Sequence, residues 1–195
     1  MVLNSDNPLL SRRNFLLNVL AVGVCAACGE RPAQGAAPPG RAPSVAVKIE
    51  KFSAAGVSEG VVTVKPVIKS DTEWRRQLSP ASYAVTRQAG TERPFSGEYD
   101  KESRSGLYRC ICCDTALYDS KTKFDSGTGW PSFWQVISTH NVVEGAGERS
   151  GMYGAEISCV RCAAHLGHVF SDGPQPTGLR YCMNSVALRF IPRGT

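Results

Sequence analysis

Residues 109–113 read RCICC and residues 158–162 read SCVRC, and the fold turns on these two stretches. Each holds a Cys-x-x-Cys pair, Cys110 with Cys113 and Cys159 with Cys162. A turn of that length aims two sulfurs at one point while its backbone amides stabilise the thiolates. Two such turns supply the four sulfurs of a tetrahedral Zn²⁺ site. The pairs are 45 residues apart, so the ion would clip together distant parts of one domain. An apparent zinc-binding free energy of about 10–16 kcal/mol makes such a clip a large contribution to folding. The alternative is a pair of disulfides, which an oxidising compartment permits; short turns suit a metal better than a long-range staple. Four sulfurs leave the zinc no open position, so it is expected to be structural. Cys112 lies outside the pattern as a spare thiol.

The stretches around the cysteines are short apolar runs divided by Gly, Asp, Ser and Pro: GLYRC, ALYDS, PSFWQVI, GMYGAEISC, HVFSD and LRYCMNSVALRFI. They predict a mostly β, antiparallel domain. Two short helices precede them. SDTEWRRQL carries Ser70 and Glu73 at capping-box spacing, and SPASYAVTRQAG offers Ser79 as N-cap, Pro80 at the first helical position and Gly90 past the end. VVTVKPVI, an edge strand interrupted by Pro66, opens the folded domain near Val61, giving a domain over 61–195. Residues 29–60, which include GERPAQGAAPPGRAPS, read as a flexible Pro/Ala/Gly-rich linker.

Ahead of the linker, Arg12 and Arg13 precede an apolar run from Phe15 to about Ala27. The run is shorter than the roughly 20 residues of a membrane span and has the layout of an export signal over residues 1–28. Paired arginines followed by Asn-Phe-Leu resemble a twin-arginine signal; an ordinary secretion signal or an N-terminal anchor is the alternative. Ala26-Ala27-Cys28-Gly29 loosely resembles a lipobox, which leaves membrane anchoring through the N-terminus open. The expected location is the periplasm, free or attached to the membrane. The chain has 195 residues and a net charge of +5 with its Lys and Arg scattered, which argues against a nucleic-acid partner.

One cysteine stands alone: Cys182, in GLRYCMNSVALRF (178–190). An extended segment there would put Arg180, Cys182 and Asn184 on one face, a cation beside a thiol whose ionisation it favours. His165 and His168 are two of the three histidines in the chain. With the zinc satisfied by sulfur, they are better used as acid, base or proton donor. Trp130, Phe133 and Trp134 in FDSGTGWPSFW (124–134) would by themselves suggest core packing.

Taken in order, RQLSPASYAVTRQAGTERPFSGEY, the two Cys-x-x-Cys pairs, GTGWPSFW, HLGHVF, DGP and LRYCMNS resemble the methionine sulfoxide reductase B family from about Val67 to Phe190. The resemblance implies an Mss4-like fold of two antiparallel β-sheets with a zinc knob, and reduction of methionine-R-sulfoxide in oxidised proteins as a repair activity. It implies Cys182 as the catalytic cysteine, with His165, His168, Asn184 and Arg180 around the sulfoxide and Asp172 supporting them. It implies Trp130 as the ring that receives the sulfoxide methyl, with Phe133 beside it on the substrate side, and Cys110, Cys113, Cys159 and Cys162 as zinc ligands. Many members carry a resolving cysteine where this chain has Thr128. Cys112 is then the one thiol left in the domain to resolve a sulfenic acid, and direct reduction by thioredoxin or a thioredoxin-like protein is the favoured route. A monomer is expected.

Overall fold

The computed structural model describes residues 45–145 and 147–194. The export-signal reading of 1–28 and the linker reading of 29–44 lie outside the described residues.

The linker reading does not hold for its last part. Residues 47–60 belong to a β-hairpin, β1 (Val47–Phe52) with β2 (Ser58–Val64). Alternation in VKIEKF turns Ile49 inward, where it is buried, and Gly56, at φ +79, supplies the left-handed residue between the strands. Buried Asn141 holds the hairpin like a neighbouring strand. Its Oδ1 accepts the Glu50 amide at 2.8 Å, and its Nδ2 donates to the carbonyls of Glu50 and Ala116 at 2.8 Å each. The β periodicity of the hairpin was hidden by the Pro/Ala/Gly composition before it.

The two helices form as their caps predict. In α1 (Asp71–Gln77) both halves of the Ser70/Glu73 capping box are present. In α2 (Pro80–Gln88) Ser79 caps the Ser82 amide, and the left-handed closing residue is Ala89, one position before Gly90. Trp74, Tyr83 and Val85 turn into the core.

Two larger antiparallel sheets follow. β3 (Gly106–Cys110), β4 (Ala116–Asp119) and β11 (Leu188–Pro192) form a three-stranded sheet in the order β11-β3-β4. β5 (Lys123–Phe124), β6 (Ser132–Phe133), β7 (Val142–Glu144), β8 (Ala155–Cys159), β9 (His165–Phe170) and β10 (Arg180–Met183) form a six-stranded sheet in the order β5-β6-β10-β9-β8-β7. The C-terminal run read as one extended stretch is therefore two strands. A 3₁₀ turn, Ser185–Ala187, carries the chain from β10 into β11, from one sheet to the other. The core contains Tyr108, Tyr118, Phe133, Leu166 and Met183; Tyr118 stacks on Phe133 with ring centroids 4.4 Å apart.

Candidate active site and zinc centre

The two Cys-x-x-Cys turns have the same local construction. After Cys113 and Cys162 the chain enters the left-handed region at Asp114 (φ 64) and Ala163 (φ 54). Each turn closes with a pair of backbone bonds: Asp114 N to Cys110 O and Ala163 N to Cys159 O, both 2.9 Å, then Cys110 N to Thr115 O at 2.8 Å and Cys159 N to Ala164 O at 2.9 Å. The four sulfurs lie within 4.8 Å of one another, with Cys110–Cys162 at 3.6 Å and Cys113–Cys159 at 3.5 Å. Tetrahedral coordination at about 2.3 Å sets sulfurs about 3.8 Å apart, so this all-thiolate donor set fits zinc. Among the described residues the cysteines form no disulfide. Arg87 Nη1 donates to Cys162 O at 2.9 Å and Gln77 Nε2 to Cys112 O at 2.9 Å, so the helices grip both turns from behind.

Cys182 lies elsewhere, on β10 in the middle of the six-stranded sheet. Its register partners are His168 on β9 and Ser132 on β6. Directly opposed residues share a face, so thiol, imidazole and hydroxyl stand in one row. Arg180, two residues earlier on the same face, makes a two-pronged ion pair with Asp172 (2.9 and 2.8 Å) and stacks over Phe170, 4.2 Å from the ring centre. Thr128 Oγ1 is 3.9 Å from Cys182 Sγ and belongs to a hydroxyl chain through Ser126 to Ser132, with links of 2.8 Å.

Cys182 and His168 line a cavity of about 280 Å³ together with Trp130, Phe170, Asn184 and Tyr153. Burial pushes the Cys182 thiol up; the Arg180 charge, then the Thr128 hydroxyl, pull against it without prevailing. Arg180 thus favours the thiolate as expected, but its guanidinium is shared with Asp172, and desolvation of the sulfur is the larger effect. Burial, aided by neighbouring His165, lowers the His168 pKa despite Glu156, which keeps its ring neutral at pH 7.

Other expected residues are placed differently. His165 is buried, and its Nδ1 pairs with Glu156 Oε1 at 2.8 Å; it meets His168 edge to face, centroids 5.2 Å apart, and does not line the cavity. Asn184 does line it, but its Oδ1 accepts the Glu92 amide (2.9 Å) and its Nδ2 donates to Leu166 O (3.1 Å). Phe133, expected on the substrate side, does not line the cavity. Strand alternation sends Ser132 to the Cys182 face and Phe133 to the other, where it is fully buried against Tyr108 and Tyr118. Cys112 is buried among Cys110, Cys162 and Thr86 and does not line the cavity.

Sequence reasoning missed Glu92. Its carboxylate accepts the amides of Ser185 (2.7 Å) and Val186 (3.1 Å), while its carbonyl accepts the Trp130 indole at 3.1 Å. One residue thereby joins the aromatic wall, Asn184 and the turn after β10. It gave no local signal, because every partner is about 40 or more positions away. Ser132 could have been found from alternation with Phe133.

A SelR domain matches residues 78–192. The peptide methionine sulfoxide reductase MsrB of Pseudomonas entomophila (strain L48) is 55% identical over 130 residues, covering 67% of this chain and 99% of that protein. The protein of the same name from Pseudomonas syringae pv. syringae (strain B728a) is 56% identical over 125 residues, covering 64% of this chain and 95% of that protein.

Proposed function

The chain belongs to the SelR domain family, that of the peptide methionine sulfoxide reductases B, and from that premise we propose that it reduces methionine-R-sulfoxide in proteins with Cys182 as the nucleophile. It is a peptide-methionine (R)-S-oxide reductase. The observation that carries the assignment of Cys182 is its position opposite His168 and Ser132 in a cavity walled by Trp130.

The chemistry follows from these groups. Neutral His168 takes the thiol proton, and the Arg180 charge favours the thiolate left behind. The Cys182 sulfur attacks the sulfoxide sulfur, His168 returns the proton to the sulfoxide oxygen, and the oxygen passes to Cys182. One thiol and one sulfoxide become one sulfenic acid and one thioether, so no hydride or metal electron is required. Trp130 covers the methyl group, leaving the oxygen toward the polar row. Asn184, bonded on both ends of its amide, orients the site rather than protonating the substrate. Zinc, when bound by Cys110, Cys113, Cys159 and Cys162, supplies a structural clip and no step of the reaction.

Thr128 cannot form a disulfide and Cys112 lies outside the cavity, which supports reduction of the sulfenic acid by an external dithiol of the thioredoxin class. The Arg12–Arg13 signal supports a periplasmic or membrane-attached enzyme. Cell fractionation of the intact chain tests this: Arg12→Lys with Arg13→Lys should hold it in the cytoplasm, and unchanged export removes the twin-arginine reading.

The activity is tested with separated R and S epimers of a methionine sulfoxide peptide and dithiothreitol. Turnover is expected for R alone, abolished by Cys182→Ser and retained, at lower stability, when a zinc ligand is replaced. Full activity of Cys182→Ser overturns the assignment.

A further inference from the structure

The cavity beside Cys182 accepts a side chain but not a polypeptide. At about 280 Å³ it lies at the small end of ligand pockets, so the neighbours of an oxidised methionine must lie across its rim. That rim is apolar. Among the described residues eight large apolar side chains are exposed, and two at this cavity are the most exposed of them, Met152 (85%) and Tyr153 (78%). Phe95, 66% exposed, is the only other aromatic among the eight.

Phe95, from a different segment, is held against the residue that precedes the cavity wall Trp130. Its amide donates to Gly129 O at 2.7 Å, and its ring lies against Gly129 so closely that a Cβ there would meet it at 2.8 Å. Gly129 immediately precedes Trp130, the cavity wall. Phe95 also has φ +61, a conformation bulky residues rarely adopt. A strained backbone thus presents an aromatic ring to water next to the segment that carries Trp130.

We propose that Phe95, Met152 and Tyr153 form a docking ledge for apolar and aromatic side chains flanking the oxidised methionine. The ledge gives the enzyme preference for sulfoxides in hydrophobic segments, the kind uncovered when a protein unfolds. The occupant follows from continuity: the ledge is the rim of the cavity that takes the sulfoxide, and the segment crossing it belongs to the same chain. The inference rests on the reading of that cavity as the sulfoxide site.

Three substrates test it, with dithiothreitol as reductant so that no protein donor competes for the ledge: N-acetyl-methionine-R-sulfoxide methylamide, a pentapeptide with Ser and Gly flanks, and one with Leu and Phe flanks. The kcat/KM for the apolar peptide should exceed that for the Ser/Gly peptide about tenfold, the effect of partly burying one or two apolar side chains. Phe95→Gly keeps the left-handed backbone accessible while deleting the ring. Together with Tyr153→Ser it should bring that ratio close to one, whereas Val57→Ser, exposed on the hairpin, should leave it unchanged. Equal kcat/KM for the two peptides, or a ratio untouched by the double variant, overturns the ledge. Turnover of none of the three overturns the sulfoxide reading and the ledge with it, so the two failures are distinguishable.

Discussion

Glu92→Ala removes two bonds and spares two. The backbone links to Asn184 and Trp130 remain available, while the Ser185 amide, bonded at 2.7 Å, and the Val186 amide, bonded at 3.1 Å, lose their carboxylate. Ser185 is buried, so its amide loses a charge-assisted bond without water to replace it, a loss of about 1.5–3 kcal/mol. The longer Val186 bond, at a half-buried residue, contributes less, and the total comes to about 3 kcal/mol. For a domain of this size each kcal/mol shifts Tm by about 2–4 °C, so a fall of roughly 6–12 °C is expected. Glu92→Gln retains an acceptor oxygen and should lose about half as much. Gly97→Ala supplies an independent perturbation, since a Cβ there would lie 2.5 Å from Glu92 Oε1 and even closer to the Ser185 hydroxyl. It should lower Tm in the same direction, with little further loss when combined with Glu92→Ala. Thermal melting and urea denaturation at pH 7 measure these shifts, and single-turnover reduction of a methionine-R-sulfoxide peptide should slow in parallel as the segment whose backbone anchors Asn184 and Trp130 loosens. A Tm for Glu92→Ala within about 2 °C of the parent refutes the reasoning.

Thr128→Cys places a second thiol where a hydroxyl now sits 3.9 Å from Cys182 Sγ; after one turnover the protein should have lost two thiols and carry a disulfide, whereas the parent gains one oxygen by intact mass. His168 has its pKa lowered by burial, so the folded protein resists its protonation. Stability contributed by the neutral ring is present above about pH 6.5 and declines as pH falls below that value. The single-turnover rate should show an acid limb with its midpoint below pH 6.5, and His168→Gln should be slower and lack the limb. Metal analysis should find one zinc per chain, and stripping it with a strong chelator should expose Cys110, Cys113, Cys159 and Cys162 to a thiol reagent together with loss of the cooperative melt.

Much of this was written locally. The Ser70/Glu73 and Ser79/Pro80 devices fixed both helix starts, because a cap needs only residues three positions apart. The cluster of four sulfurs was equally legible, since spacing within each turn determines where its sulfurs point. The face presented by Ser132 and Phe133 followed from alternation but was obscured by the aromatic cluster around them. The hairpin at 47–64 was masked by neighbouring composition, and it depends on buried Asn141, some 90 positions away. Glu92 and the raised Cys182 thiol were not legible, for burial and long-range bonds appear only when the sheets are assembled.

The passage from β10 into β11 joins two chemistries mechanically. Six residues beyond Cys182, Leu188 sits in register with Cys110, one of the four clustered sulfurs, at the end of β3. Slack in the sulfur knot would therefore reach Cys182 along one short run of backbone. Oxidants that attack the knot would loosen the frame that carries Cys182 and lower the stability of the protein, without ever reaching that sulfur.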